Sequence, residues 1–128
     1  MRYLFDTHYA FWWQTGDPRL TDKVRKLVES NNEETFVSRA SFWELTLKAG
    51  TGKLRINLPV FERQVEAMGF TWLPIENSHI LQLAELPTFP DHKDPFDRML
   101  VAQSLSEPLI LLTADTKLAR YGTTVRVV

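Results

Sequence analysis

Four acidic side chains occupy positions where a fold would hold them in fixed places. Asp6 and Asp115 each follow a short apolar segment that is typical of a buried strand. Glu44 lies among large apolar neighbours in a predicted helix, and Asp97 lies in the first turn of another. Hard divalent cations prefer carboxylate oxygens as ligands, and clustered carboxylates repel one another unless a cation neutralises them. The set indicates a metal site able to activate water for attack on a phosphate ester.

Each of these acids also has an ordinary structural explanation when it is taken alone. Asp6 and Asp115 stand where an acid can serve as the N-cap of a following helix. Glu44 can pair with Lys48 one turn later, which contributes about a few tenths of a kcal/mol on an exposed helix surface. Asp97 can simply meet the positive end of its helix dipole. The metal-site hypothesis therefore depends on the four side chains meeting in space.

Predicted strands and helices alternate along the chain. The strand candidates are residues 3–5, 35–37, 70–75, 109–112 and 124–127. The predicted helices cover 7–14, a segment from a Thr21 cap to Asn31, 41–49 with Gly50 as its stop, 58–68, a segment from an Asn77 cap to 86, 94–106 with Asp94 as N-cap, and 116–120. The strands are continuous apolar runs, which favours a mainly parallel sheet covered on both faces. The prediction is an α/β fold of three layers, α/β/α.

The composition sets broad limits on the class of protein. A chain of 128 residues with 44% hydrophobic and 24% charged residues fits one globular domain, residues 1–128. No apolar run suits a membrane span, and an acid at position 6 argues against a signal peptide, so we expect a cytoplasmic protein. The absence of cysteine excludes disulfides, thiolate nucleophiles and cysteine-bound zinc. A net charge of −1 requires that any nucleic-acid surface be a local basic patch.

Several segments carry motifs in the order in which they occur in a known family. The sequence resembles the PIN-domain nucleases, and among them the VapC-like toxins of bacterial toxin–antitoxin pairs. The segment Asp-Pro-Phe-Asp-Arg before an apolar helix is the most specific of them. The matching segments are Tyr3-Leu4-Phe5-Asp6-Thr7-His8, residues 37–45, Lys48 with Gly52-Lys53-Leu54, residues 92–103, and Leu112-Thr113-Ala114-Asp115.

The resemblance implies a metal-dependent endoribonuclease whose acidic site consists of Asp6, Glu44, Asp97 and Asp115. Asp6 and Asp97 are the expected direct ligands, and the other two acids would bind directly or through water. The implied cation is Mg²⁺, or Mn²⁺, which accepts the same oxygen ligands. Hydroxyl groups near these acids are expected to orient them, and Asp94 is interpreted as a helix cap rather than a ligand. The supporting residues are thus Thr7, Ser41, Thr113 and Asp94.

Basic residues near the motifs are candidates for holding RNA phosphates. For Lys48 an ion pair with Glu44 explains the residue equally well, and Arg98 is a candidate partner for a site carboxylate. For His92 two places are open, near the site or on the surface of a loop, and the loop surface is favoured. The resemblance also implies an RNA substrate, a homodimer and a cognate antitoxin protein as partner. The candidate RNA-binding residues are Arg39, Lys48, Lys53, Lys93, Arg98 and Lys117.

Other classes of protein share parts of this pattern. Phosphatases of the haloacid-dehalogenase type also place an Asp after the first strand, but they need a second Asp two residues later, where this chain has His8. A receiver domain requires an acidic pair after its first strand, and Phe5-Asp6 supplies one acid. A non-catalytic RNA- or protein-binding module of the same fold is a further alternative, against which the complete set of four acids speaks.

Overall fold

Five strands form one sheet in the computed structural model, which describes residues 1–128. They are β1 (Tyr3–Phe5), β2 (Thr35–Ser38), β3 (Thr71–Leu73), β4 (Ile110–Thr113) and β5 (Val125–Val127). Their order across the sheet is β3-β2-β1-β4-β5, and every neighbouring pair is parallel. The predicted parallel sheet is confirmed, and β1 is its central strand.

Six α-helices and one 3₁₀-helix connect and flank these strands. The longest helices have 12 residues, and no helix combines the length and apolar character needed to cross a bilayer. The helices are α1 (Thr7–Thr15), α2 (Asp22–Glu29), α3 (Arg39–Gly50), α4 (Leu58–Ala67), α5 (Asn77–Ala84), α6 (Pro95–Ser106) and the 3₁₀-helix (Thr116–Tyr121).

The strands separate two hydrophobic cores. Successive side chains of a strand point to opposite faces of the sheet, so Phe5 joins one core and Leu4 joins the other. The Phe5 core includes side chains of α1, α2 and α4, whereas the Leu4 core includes side chains of α6 and of the 3₁₀-helix. Because both faces are covered, the central strands β1, β2 and β4 are buried along almost their whole length. The predicted three-layer α/β/α arrangement is confirmed.

Side chains at the helix starts satisfy backbone N–H groups that lack partners within the helix. Thr21 caps α2 and Asp94 caps α6, as predicted, and one oxygen of Asp94 accepts from the N–H groups of Phe96 and Asp97 at 2.9 Å each. The prediction for α5 is wrong by one residue. Glu76 is its N-cap, because the Glu76 N–H donates to Nδ1 of His79 at 3.0 Å and fixes the first turn there.

Helix α3 also differs from its prediction at both ends. It begins at Arg39, directly after β2, because the Ser38 hydroxyl accepts from the Ala40 N–H at 3.0 Å and caps it there. Gly50 was expected to stop this helix but is its last helical residue, and the cap is Thr51. The left-handed conformation that favours glycine occurs two residues later, at Gly52 with φ of 74°. Because α3 begins directly after the last residue of β2, its first turn lies at the carboxyl edge of the sheet.

The packing of the central strands should dominate the stability of the fold. We expect Leu111→Ala to lower the free energy of unfolding by about 2–5 kcal/mol, because Leu111 on β4 is fully buried and its loss leaves a cavity. Lys23→Ala is the control, since Lys23 on α2 is exposed and its replacement should change stability by less than about 0.5 kcal/mol. Urea unfolding followed by circular dichroism measures both, and equal effects would contradict this account.

Candidate active site

Asp6 lies at the centre of the carboxyl edge of the sheet, directly after β1. Its side chain is buried and caps α1, where one oxygen accepts from the His8 N–H at 3.3 Å. The other oxygen accepts from the hydroxyl of Thr113, the last residue of the neighbouring strand β4. Burial raises the pKa of the Asp6 carboxyl, although the Thr113 hydrogen bond and the nearby His8 oppose that change. The carboxylate is therefore fixed in orientation by both neighbours.

Glu44 reaches the same edge from the first half of α3. The predicted ion pair with Lys48 is confirmed, with 3.0 Å between Oε2 and Nζ. However, Glu44 is only 6% exposed. The ion pair is therefore largely buried and is not the weak pair on a helix surface that the sequence suggested. Its second oxygen, Oε1, is buried without a hydrogen-bond partner. An unpaired buried carboxylate oxygen is costly, so this atom marks a place for a cation or a water molecule.

Asp97 and Asp115 approach the site from α6 and from the segment after β4. One ligand atom each of Asp97, Asp115 and His92 lies within 4.8 Å of the others. The pKa of Asp97 is raised to about 8, chiefly by burial and then by the charges of Asp6, Asp94, Glu44 and Asp115. That dependence shows that the four predicted acids are close enough to repel one another. The fold therefore brings them together.

His92 is a site residue that the sequence analysis missed. It was expected on a loop surface, but it is buried, with Nδ1 at 2.9 Å from the Tyr121 hydroxyl and Nε2 at 3.3 Å from Oδ2 of Asp97. Arg98 donates to the same Tyr121 hydroxyl at 3.2 Å, which leaves the hydroxyl hydrogen free to donate to Nδ1. In this tautomer the Nε2–H donates to Asp97. The signal for His92 in the sequence is its position at the start of the matching segment 92–103, two residues before the Asp94 cap.

The supporting hydroxyl groups divide into two kinds. Thr113 donates to Asp6 and also accepts from the Asp115 N–H at 3.0 Å, so it connects the two acids that follow strands. Thr7 instead donates to Ser41 at 2.9 Å, and both side chains are buried. Neither Thr7 nor Ser41 makes the predicted hydrogen bond to a carboxylate. Their contact joins α1 to α3, and thereby sets the positions of Asp6 and Glu44 relative to each other.

The predicted RNA-binding residues are dispersed around the site. Arg98 makes no ion pair with a site carboxylate; its Nη1 donates to the Pro87 carbonyl at 2.8 Å and to Tyr121. Arg39 lies over the Trp72 ring, 4.7 Å from its centroid. Lys117 is the second residue of the 3₁₀-helix capped by Asp115, whose Oδ1 accepts the Lys117 N–H at 2.9 Å. The other three are Lys48, which is paired with Glu44, and Lys53 and Lys93, which are exposed.

Asp6, Asp97 and Asp115 open onto a cleft of about 270 Å³, which we call the acidic cleft, whereas Glu44 is not part of its lining. Such a concentration of carboxylate oxygens fits a hard divalent cation, and no cysteine is present to favour a softer one. The unpartnered Oε1 of Glu44 and the raised pKa of Asp97 also fit a positive charge bound among these acids. The lining residues are Asp6, His8, Tyr9, Trp12, Asp97, Ala114 and Asp115.

The chain is similar to proteins of known family and structure. The PIN domain family model matches residues 3–123. Ribonuclease VapC22 of Mycobacterium tuberculosis is 29% identical over 120 residues, which are 92% of this chain and 90% of that protein.

Two solved structures show the same fold over almost the whole chain. The structure of VapBC2 from Rickettsia felis bound to a DNA fragment from its promoter matches with a TM-score of 0.67 at 13% identity, over 99% of this chain and 97% of that one. A toxin–antitoxin complex from Klebsiella pneumoniae matches with a TM-score of 0.67 at 18% identity, over 98% and 96%.

The raised pKa of Asp97 predicts how the stability of the metal-free protein depends on pH. An unfolded Asp titrates near 3.8 and the folded one near 8, so the folded state binds an extra proton between these values and loses stability as pH rises through them. Asp97→Asn lacks this loss, and we expect it to be more stable than the wild type by about 1–3 kcal/mol at about pH 8. Urea unfolding in the presence of EDTA measures the difference.

Measuring the wild type and Asp97→Asn at a second pH identifies the cause of the gain in stability. The two proteins should differ least at about pH 3.5, where Asp97 is largely protonated in both the folded and the unfolded state, and the difference should grow steadily toward about pH 8. The exposed Asp22→Asn serves as a control that should show no such pH-dependent gain. A stability difference that stays constant between the two pH values would show that Asp97 titrates normally.

Asp94 provides a test that separates a helix cap from a metal ligand. Asn caps a helix about as well as Asp, so Asp94→Asn should preserve stability, whereas Asp94→Ala should cost about 1 kcal/mol. If Asp94 acts only as the cap, Mn²⁺ affinity measured by calorimetry should change little in Asp94→Asn and fall strongly in Asp97→Asn. Equal losses of affinity in the two Asn variants would make Asp94 a ligand.

Proposed function

The chain belongs to the PIN domain family, and from this premise we propose that it is a metal-dependent endoribonuclease, the toxin of a toxin–antitoxin pair. The convergence of four carboxylates on one buried edge of the sheet is the observation that carries the proposal. Residues 1–128 would act as a single nuclease domain. The similarity to ribonuclease VapC22 supports RNA as the substrate.

Asp6 and Asp97 are proposed as direct ligands of Mg²⁺, with Glu44 and Asp115 bound directly or through water. Mn²⁺ would suit the same oxygens. When bound, a divalent cation supplies the positive charge that makes water a stronger nucleophile and stabilises charge developing on the attacked phosphate. The free Oε1 of Glu44 and the second oxygen of Asp97, which no hydrogen bond occupies, are available to it. Each oxygen of Asp6 accepts one hydrogen bond and keeps a second lone pair for the cation. No side chain is required as a covalent nucleophile.

The protein groups around the acids act by positioning. Thr113 and the His8 N–H hold both oxygens of Asp6, so this carboxylate cannot rotate. His92 does the same for one oxygen of Asp97 and is itself held by Tyr121. A ligand that is already oriented loses less conformational entropy on binding, and outer-shell partners of this kind typically contribute about 10–100-fold in metal affinity or activity. Thr113 and His92 are therefore positioning residues in this proposal.

Basic side chains at the rim would hold the phosphates that flank the cleavage position. We propose contacts from the six predicted residues, with Lys53 and Lys93 the most available, since Lys48, Arg98 and Arg39 already have protein partners. Contacts of this kind give affinity without reading sequence, and the affinity falls as salt rises. The proposed list is Arg39, Lys48, Lys53, Lys93, Arg98 and Lys117.

The proposal includes two protein partners. An antitoxin is supported by the fold shared with toxin–antitoxin complexes such as the one from Klebsiella pneumoniae. A homodimer is supported by large apolar side chains left exposed on two helices, Trp43 and Leu47 on α3 and Ile80 and Leu81 on α5. A cytoplasmic location agrees with the RNA substrate.

RNA cleavage by the purified chain tests the proposal. With Mg²⁺ and mixed cellular RNA we expect endonucleolytic cleavage that EDTA abolishes. Asp6→Asn should lower the cleavage rate at least about 100-fold, because it removes a proposed direct ligand that is held from two sides. The rate is followed by gel electrophoresis of end-labelled RNA. Asp22→Asn, an equivalent change on the exposed surface of α2, should retain the full rate.

The same assay distinguishes the alternative functions. Cleavage that persists in EDTA and in Asp6→Asn would overturn the metal mechanism. Release of phosphate from a monoester without RNA cleavage would indicate a phosphatase, although His8 occupies the position of the second Asp that those enzymes need. RNA binding without either reaction would indicate a non-catalytic module.

A further inference from the structure

A second cavity, of about 380 Å³, opens beside the acidic cleft and has the opposite charge character. We call it the basic cavity; its walls include Arg19, Lys48 and Lys53 and contain no acidic residue. His8 and Trp12 line both spaces, so the two are adjacent. A ligand that extends from one to the other would pass from clustered carboxylates to clustered cations within a few ångströms of Trp12.

Two of these cations are held in place by the fold. Arg19 makes a bidentate pair with Asp17, with 2.7 Å between Nη2 and Oδ2, and its guanidinium lies 4.8 Å from the centre of the Trp12 ring. Lys48 is fixed by Glu44. Each still has N–H donors free. Asp17 accepts from only two of the three guanidinium nitrogens of Arg19, and Glu44 contacts the three-donor ammonium group of Lys48 through one oxygen. Both donors are therefore oriented by a carboxylate partner, and the Arg19 side chain remains 67% exposed to an incoming ligand.

Lys53 completes the set and makes no ion pair in the structure. Its N–H donates to the Lys48 carbonyl at 3.0 Å, which places it in the turn that follows α3, next to the end of that helix. Gly52, the residue before it, has a positive φ of 74°, a conformation that glycine adopts without steric cost. The side chain is exposed, so its charge is fully available to an anion.

Part of the lining of the basic cavity is apolar and aromatic. It consists of Phe11 and Trp12 of α1 and of Leu54, and all three are half-buried. Arg19 lies against the Trp12 ring, so cationic and aromatic surfaces adjoin there. A cavity that combines cations with aromatic surface suits an anion that carries a planar ring. Its volume is near the lower limit for small-molecule sites, which fits one nucleotide and excludes a duplex.

We propose that the basic cavity is a subsite for one nucleotide of single-stranded RNA, next to the phosphodiester that lies in the acidic cleft. The phosphate of this nucleotide contacts Arg19, Lys48 and Lys53, and its base packs against Phe11 and Trp12. Base–aromatic packing and phosphate contacts are the usual combination in single-strand recognition. The subsite rests on the proposed nuclease function, and it also explains how a polyanion is retained beside repelling carboxylates.

Steady-state cleavage of a short single-stranded RNA tests this subsite. Lys53→Ala should raise KM about fivefold and leave kcat within about twofold, and it should lower the salt dependence of binding by about one phosphate contact. Lys23→Ala is the matched control, because Lys23 is an exposed lysine on α2 outside the cavity, and its kinetics should equal those of the wild type. Thermal unfolding verifies that both variants are folded.

Binding to the inactive Asp6→Asn chain, measured by fluorescence anisotropy of labelled RNA, separates this inference from the proposed function. RNA that is cleaved with the same KM by the wild type and by Lys53→Ala would overturn the subsite and leave the nuclease function intact. RNA that binds and depends on Lys53, but is never cleaved by the wild type, would support the subsite and overturn the nuclease. Tighter binding of duplex than of single-stranded RNA would also overturn the subsite.

Discussion

Because β1, β2 and β4 run parallel, their carboxyl ends share one edge of the sheet, and the acids fixed to that edge are forced together. Only part of the resulting repulsion is relieved within the chain. Thr113 donates to Asp6 and Lys48 pairs with Glu44, while Asp97 retains a pKa of about 8 and one oxygen of Glu44 has no partner. Much of the surrounding structure can be understood as holding these charges in place until an external cation compensates them.

Charge is also segregated over short distances, although the chain as a whole is almost neutral. The acidic cleft and the basic cavity share the wall formed by His8 and Trp12. Lys48 crosses this boundary, since it lines the basic cavity and pairs with a site acid. A net charge of −1 therefore conceals two strong and opposite local fields, which is why overall charge argued only weakly about a nucleic-acid partner.

The features that could be predicted from sequence are those set by neighbouring residues. Apolar runs located the strands, and the Thr21 and Asp94 caps located two helix starts, because capping involves only the next few N–H groups. The positions of the four acids followed from strand ends and helix turns. What could not be predicted depends on contacts between distant segments. His92 is buried because Tyr121, far along the chain, contacts it. Thr7 likewise hydrogen-bonds to Ser41, which is distant in sequence, instead of to a carboxylate.

The protonation of Asp97 changes what cation binding means for this molecule near neutrality. With a pKa of about 8, the carboxyl carries a proton in most metal-free molecules at about pH 7. A divalent ion that binds there must displace this proton, since only the ionised oxygen is a good ligand. The overall charge of the site then increases by nearly one unit instead of two, and the affinity for the ion becomes coupled to the acidity of the surroundings. Such a site behaves as a cation–proton exchanger.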